Sequence, residues 1–142
     1  MIFIELNWLA IVAATVAAFV AGAIWFGPKT FFPVWWKLIG KEAGVDPGAN
    51  LNMAIVFAST FVGALVQAFT LAVIIHFVAA GDSAFGALAG GVTGLLVGIG
   101  LAAASSLGHR LFAGAGFRVW LLEVGSDVVN LTIMGVILGA WR

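Results

Sequence analysis

Three polar side chains share one side of an otherwise apolar stretch, VWLLEVGSDVVNLTIMGVILGAW, residues 119–141. Glu123, Asp127 and Asn130 stand at i, i+4 and i+7, a spacing that places them on one face of a helix. Two carboxyls and an amide so arranged have the chemistry to hold a proton, a cation or a small polar solute. A second apolar stretch offers Gln67, with Ser59, Thr60, Gly63 and Thr70 on the same side, as partners at similar depth. His109 and Ser105, near the end of a third stretch, are placed to reach Glu123. The competing reading is structural: an internal hydrogen-bonded clasp that fixes helix register, with Asp127 protonated and donating. His76 falls on the face opposite Gln67 and reads as an interfacial residue.

Other chemistries lack their residues. The chain has no cysteine, so thiol catalysis and thiolate-bound metals are excluded. Two histidines on separate stretches give no metal-ligand spacing, and no phosphate loop or serine–histidine pair is present. No enzyme activity, metal or cofactor is expected. Net charge is zero and no basic face exists, which argues against nucleic acid.

The elements that must position the polar face follow from composition. Of 142 residues, 63% are hydrophobic and 8% charged, with a mean hydropathy of +1.20. A soluble domain carries about 25% charged residues, so this chain requires a lipid solvent. About 20 apolar residues cross a bilayer as a helix, and four stretches qualify: 8–26, 51–79, 85–106 and 119–141. The expected fold is all-α and integral to the membrane. It is one domain, 1–142, forming an antiparallel bundle of four transmembrane helices. Asn7, Asn50 and either Asp82 or Ser83 are placed to cap the first three, and Gly27-Pro28 to stop the first. The first stretch has no basic start and ends in Ile24-Trp25-Phe26, so it reads as a retained span rather than a signal peptide.

Lys29, Lys37, Lys41, Arg110 and Arg118 fall in loops on one side, and of the six basic residues Arg142 alone falls on the other. The positive-inside rule places those loops in the cytoplasm and both termini outside. From Arg118, at about 1.5 Å per residue, Glu123 lies roughly 7 Å inward and Asp127 roughly 13 Å. An acid that deep costs at least about 2.5 kcal/mol and should face the bundle interior or a wet cavity. Trp8 and Trp141 mark the outer interface, and Trp25, Trp35, Trp36 and Trp120 the inner one. In the loop 27–50, Phe31, Phe32, Trp35, Trp36, Leu38 and Ile39 alternate with lysines, which predicts a short helix lying in the headgroup region.

Two spans carry small residues every fourth position. Gly86, Gly90, Gly94 and Gly98 recur in the third, continued by Ala102; Ala10, Ala14, Ala18 and Gly22 recur in the first. Each makes a flat groove, a glycine-zipper pattern, where another backbone approaches closely, within the chain or from a second subunit.

The run NWLAIVAATVAAFVAGAIWFGP at 7–28, the loop segment WWKLIG, HRLF at 109–112 and IMGVILGAWR at 133–142 together resemble the bacterial membrane family known as domain of unknown function 1761. The likeness runs in order through the whole chain. It implies a four-span protein of the bacterial inner membrane; no activity comes with it, and no site residue is carried over. This chain reads LEVGSD at 122–127 where the family usually shows a more neutral run. Two functions fit these features. One is a small transporter or solute-binding protein using the face of Glu123, Asp127, Asn130 and Gln67. The other is a non-catalytic scaffold or accessory subunit, docking on itself or on another membrane protein through glycine seams and the aromatic loop.

Overall fold

A computed structural model describes residues 6–45 and 51–142. The described residues are all helical or loop: α1 (Trp8–Trp25), α2 (Phe32–Leu38), α3 (Met53–Val78), α4 (Ala87–Val97), a π-helical turn (Gly98–Ala103), α5 (Ala104–Phe112) and α6 (Phe117–Ala140). α4, the π turn and α5 run on as one helix. Four helices, Trp8–Trp25, Met53–Val78, Ala87–Phe112 and Phe117–Ala140, are long and apolar enough to cross a membrane.

Local chemistry sets their ends. Asn7 Oδ1 accepts the Ala10 N–H at 3.0 Å and starts α1. At the other end Phe26 is the last capping residue, and Pro28 cannot continue the ladder. The Thr30 hydroxyl turns back toward the carbonyls of Ile24, Trp25 and Gly27, which the helix end leaves without partners. α2 is the expected short helix of the aromatic loop, with a proline in its first turn.

Helix ends differ from the sequence expectation mainly in the second and third spans, and the fourth helix begins at Phe117 rather than 119. α3 is capped by Asn52, whose Oδ1 accepts from Ala54 and Ile55 N–H, so the span begins at Met53 rather than 51; Asn50 lies outside the described residues. Neither Asp82 nor Ser83 caps the third span. Asp82 Oδ1 accepts from Ala84 N–H at 2.9 Å inside the loop, and Gly86, in extended backbone, precedes the helix with no side-chain cap. The third helix also runs past Ser106 to Phe112. Nothing breaks it before Gly114, which takes φ +74°. Its last turns leave the hydrophobic pattern without leaving the helix.

α6 is the hub: α1, α3, α4 and α5 all pack against it. Ile11, Thr15, Leu71 and Met134 are its largest fully enclosed neighbours and members. The third-span glycines seat directly on it. A Cβ at Gly90 would overlap the Gly135 carbonyl and lie 2.8 Å from Gly139 Cα, one at Gly94 would overlap the Leu131 carbonyl, and one at Gly98 would lie 3.0 Å from Val128 Cα. Gly86 contributes its carbonyl, against Gly139. Beyond Gly98 the buried position is Ala103, not Ala102, because the π turn inserts one residue into the four-residue repeat. The first-span seam is buried too: Ala10, Ala14 and Ala18 are enclosed with Leu71, Ile75, Met134 and Leu138, and Gly22 faces Asn130. The two seams meet α6 and its neighbours within the chain rather than each other.

α3 is unevenly seated. Its second half buries Ala68, Leu71, Ala72 and Ile75, whereas residues 53–67 contain no buried position. Phe19 holds that first half to α1 by edge-to-face contacts with Phe57 and Phe61, at 6.4 and 5.5 Å between centroids. This loosely held half lies toward the basic end of the bundle, the end carrying Lys29, Lys37, Lys41, Arg110 and Arg118.

Candidate functional site

The polar face of α6 begins at the basic end and descends into the bundle. Glu123, in the second turn, is met from two sides. α2 brings Trp35, whose Nε1 donates to Glu123 Oε1 at 3.1 Å. α5 brings Arg110, whose Nε lies 2.8 Å from Oε2. That N–H does not point along the contact, so Oε2 is buried in a Coulombic pair without an aligned hydrogen bond. The Glu123 side chain is 18% exposed and that of Arg110 49%. The pair therefore has one end in the protein and one at its surface.

Two further tryptophans tie the same end together. Trp25 Nε1 donates to the Leu122 carbonyl at 3.0 Å, linking α1 to α6, and Trp120 Nε1 donates to Ser106 Oγ at 3.1 Å, linking α6 to α5. Trp35 is itself wedged by rings: Phe26 at 5.5 Å, Trp36 at 6.0 Å and Phe32 at 6.1 Å. Residues that mark the membrane interface by type thus also join the helices at this end through their indole N–H groups, and Trp35 among them holds Glu123 directly.

One turn deeper, Asp127 is half-buried and has no hydrogen bond or ion pair among the described residues. Glu123 and Arg110 are the charged groups that act on it electrostatically. Asn130 is also half-buried, its Nδ2 standing against the Cα of Gly22, where an added methyl would lie 3.4 Å away. The structure thus keeps Glu123, Asp127 and Asn130 along one side of α6.

The other two candidates lie elsewhere. Gln67 is exposed and lines a cleft of about 320 Å³ between α3 and the third helix, with Thr70, Ser105 and apolar side chains. His109 is exposed and its Nδ1 lies 3.1 Å from the Ser105 carbonyl of its own helix. Arg110, its neighbour, is the residue that reaches Glu123. Arg110 and Trp35 are absent from the sequence-derived set. The signal for Arg110 is the helical continuation through HRLF, which turns residue 110 back toward the start of α6.

At the opposite end, a cavity of about 370 Å³ is lined by Asn7, His76, Trp141, Arg142 and surrounding aliphatic residues. Its walls are fastened by Asn7 Nδ2 donating to the Trp141 carbonyl at 3.2 Å and Arg142 Nη2 donating to the Phe85 carbonyl at 2.8 Å. No cluster of three metal-ligating side chains occurs among the described residues.

No curated protein and no solved structure matches this chain. Among known families, residues 9–139 match the one described as protein of unknown function (DUF1761). That match takes in all but the outermost residue of the first and last long helices, with the aromatic loop and the Glu123–Asp127–Asn130 face, and the chain belongs to this family.

Proposed function

We propose that this chain is a non-enzymatic, multi-pass protein of the bacterial inner membrane whose α6 polar face binds, or passes, a proton, a cation or a small polar solute. The observation that carries the reading is Asp127: an acid within a membrane-spanning helix, half-buried and without a hydrogen bond or ion pair among the described residues. Such a group is costly in lipid and is kept where it meets a ligand or water. Glu123 precedes it toward the basic end, held by Arg110 and Trp35. The loosely seated half of α3 lies at that same end, the side from which a solute reaches Asp127 with least displacement of packed helices.

Asp127→Asn keeps the shape of the side chain and removes its charge. The variant is expected to fold with stability within about 1 kcal/mol of the parent, since an amide makes comparable hydrogen bonds. It is expected to lose the pH- or cation-dependent flux that parent proteoliposomes show with an entrapped pH dye or cation dye. Full flux in Asp127→Asn, or parent vesicles as tight as empty ones with no cation- or pH-dependent thermal shift, would refute the proposal.

The same proposal puts both termini outside and the basic segments 27–50 and 107–118 in the cytoplasm, from their Lys and Arg residues. With no native cysteine, single cysteines report without background. An impermeant thiol reagent added to spheroplasts is expected to label Asp82→Cys and to spare Val45→Cys until the membrane is opened. The inverse pattern reverses the orientation.

A further inference from the structure

We infer that two copies of this chain pair through the face of α3 that carries Gln67. Gln67 lies about 21 Å from the start of α3 and about 17 Å from its end, at 1.5 Å per residue, which puts it in the middle of the hydrocarbon layer. Its side chain is exposed and has no hydrogen bond among the described residues. Elsewhere in the spans, Thr15, Thr60, Thr93 and Thr132 each return a hydroxyl to a carbonyl one turn back. A glutamine amide carries two N–H donors and a carbonyl, and lipid tails supply nothing to meet them.

The partner that fits is a second α3. An amide is its own complement: a two-fold axis beside Gln67 sets each N–H against the other copy's carbonyl. Gly63, one turn toward the basic end, is exposed, and a Cβ there would meet nothing within 4 Å, so the backbone is open to close approach. Ser59 continues the same side, also exposed. α3 carries no Asp, Glu, Lys or Arg, so two copies approach without like-charge repulsion. Since residues 53–67 include no buried position, a second helix finds several turns to lie along. Apart from Thr70 and Ser105, the cleft beside Gln67 is walled by apolar side chains, Val66 and Leu101 among them, which receive the partner's aliphatic side chains. A lipid chain covers those walls and leaves the amide bare.

The test uses the purified full chain in phosphatidylcholine–phosphatidylglycerol vesicles. Gly63→Cys is expected to cross-link to a disulfide dimer with copper phenanthroline, while Leu88→Cys, 84% exposed on the third helix, stays monomeric. Adding Gln67→Leu to Gly63→Cys should cut the dimer yield. In a lipid-dilution energy-transfer measurement with the label at Ser83→Cys, Gln67→Leu should raise the dimer dissociation constant roughly tenfold. Asp127→Asn should dimerise like the parent, which separates this inference from the site on α6. Equal cross-linking at 63 and 88, an unaltered dissociation constant in Gln67→Leu, or a monomer at every dilution would overturn it. So would a chain that is monomeric in vesicles but cross-links from position 63 to a different protein in native membranes, which would assign the face to that protein.

Discussion

Gly94→Leu is expected to separate α4 from α6 and lower the stability of the bundle by at least about 3 kcal/mol, the upper part of the range for overpacked cores. The reason lies in what a side chain would strike. At Gly94 it meets the backbone of Leu131 and Thr132, and at Gly90 the backbone of Gly135 and Gly139. A helix backbone cannot swing aside as a rotamer does, so relief comes only by moving the whole helix. Close contact is also what holds the pair, because lipid gives apolar side chains little reason to prefer one another. Gly91 makes the contrast: a Cβ there meets only Val136 Cγ2, the end of a side chain, so Gly91→Ala should cost far less than Gly94→Ala. Val92→Leu, at a position 47% exposed, should stay within about 0.5 kcal/mol of the parent. Thermal unfolding in a mild detergent measures all four variants. Equal melting of Gly94→Leu and Val92→Leu would mean that the glycine face is not a helix contact.

The second large effect is asymmetric. Arg110→Leu is expected to destabilise by about 1–2 kcal/mol, less than the 3–5 typical of a fully buried pair because half of the arginine already meets solvent. The loss arises at Glu123, whose carboxylate would keep only the Trp35 N–H. Glu123→Gln removes the opposite partner and should cost much less. Its carbonyl still accepts from Trp35, and the freed guanidinium is long enough to turn into the headgroup region. The double variant should be more stable than Arg110→Leu alone, since no unpaired carboxylate remains. Additive losses in the double variant would mean that the two side chains do not interact energetically.

Most of the architecture could be read from the chain because lipid imposes a coarse rule, about 20 apolar residues per crossing, that four stretches satisfy. Helix ends were harder, since capping depends on a single residue in extended backbone. Asn7 obeyed the expected chemistry, whereas Asn52 starts α3 and Gly86 precedes α4 without a side-chain cap. The glycine repeat of the third span identified a face without naming its partner. That partner's own repeat, Leu131, Gly135 and Gly139, sits in the same stretch as the acids, where its four-residue spacing is masked by the polar face. The site divided in the same way. Spacing alone puts Glu123, Asp127 and Asn130 on one side of one helix. Arg110 and Trp35 reach Glu123 through the length of α5 and the docking of α2, neither of which periodicity specifies. Gln67 shows the converse: the rule that polar groups turn inward pointed it at Asp127, and the folded chain turns it to the outside.

That α6 contacts every other spanning helix has a consequence for biosynthesis. The chain emerges from its amino end, and domains assemble in the order they are made. α1 and the far half of α3 have each other to pack against at once. The third helix has little besides α6, so its glycine groove stays uncovered until residues 117–140 leave the ribosome. During that interval the groove faces lipid or the insertion machinery, and a ribosome stalled before residue 117 would leave a three-helix intermediate with its deepest groove vacant.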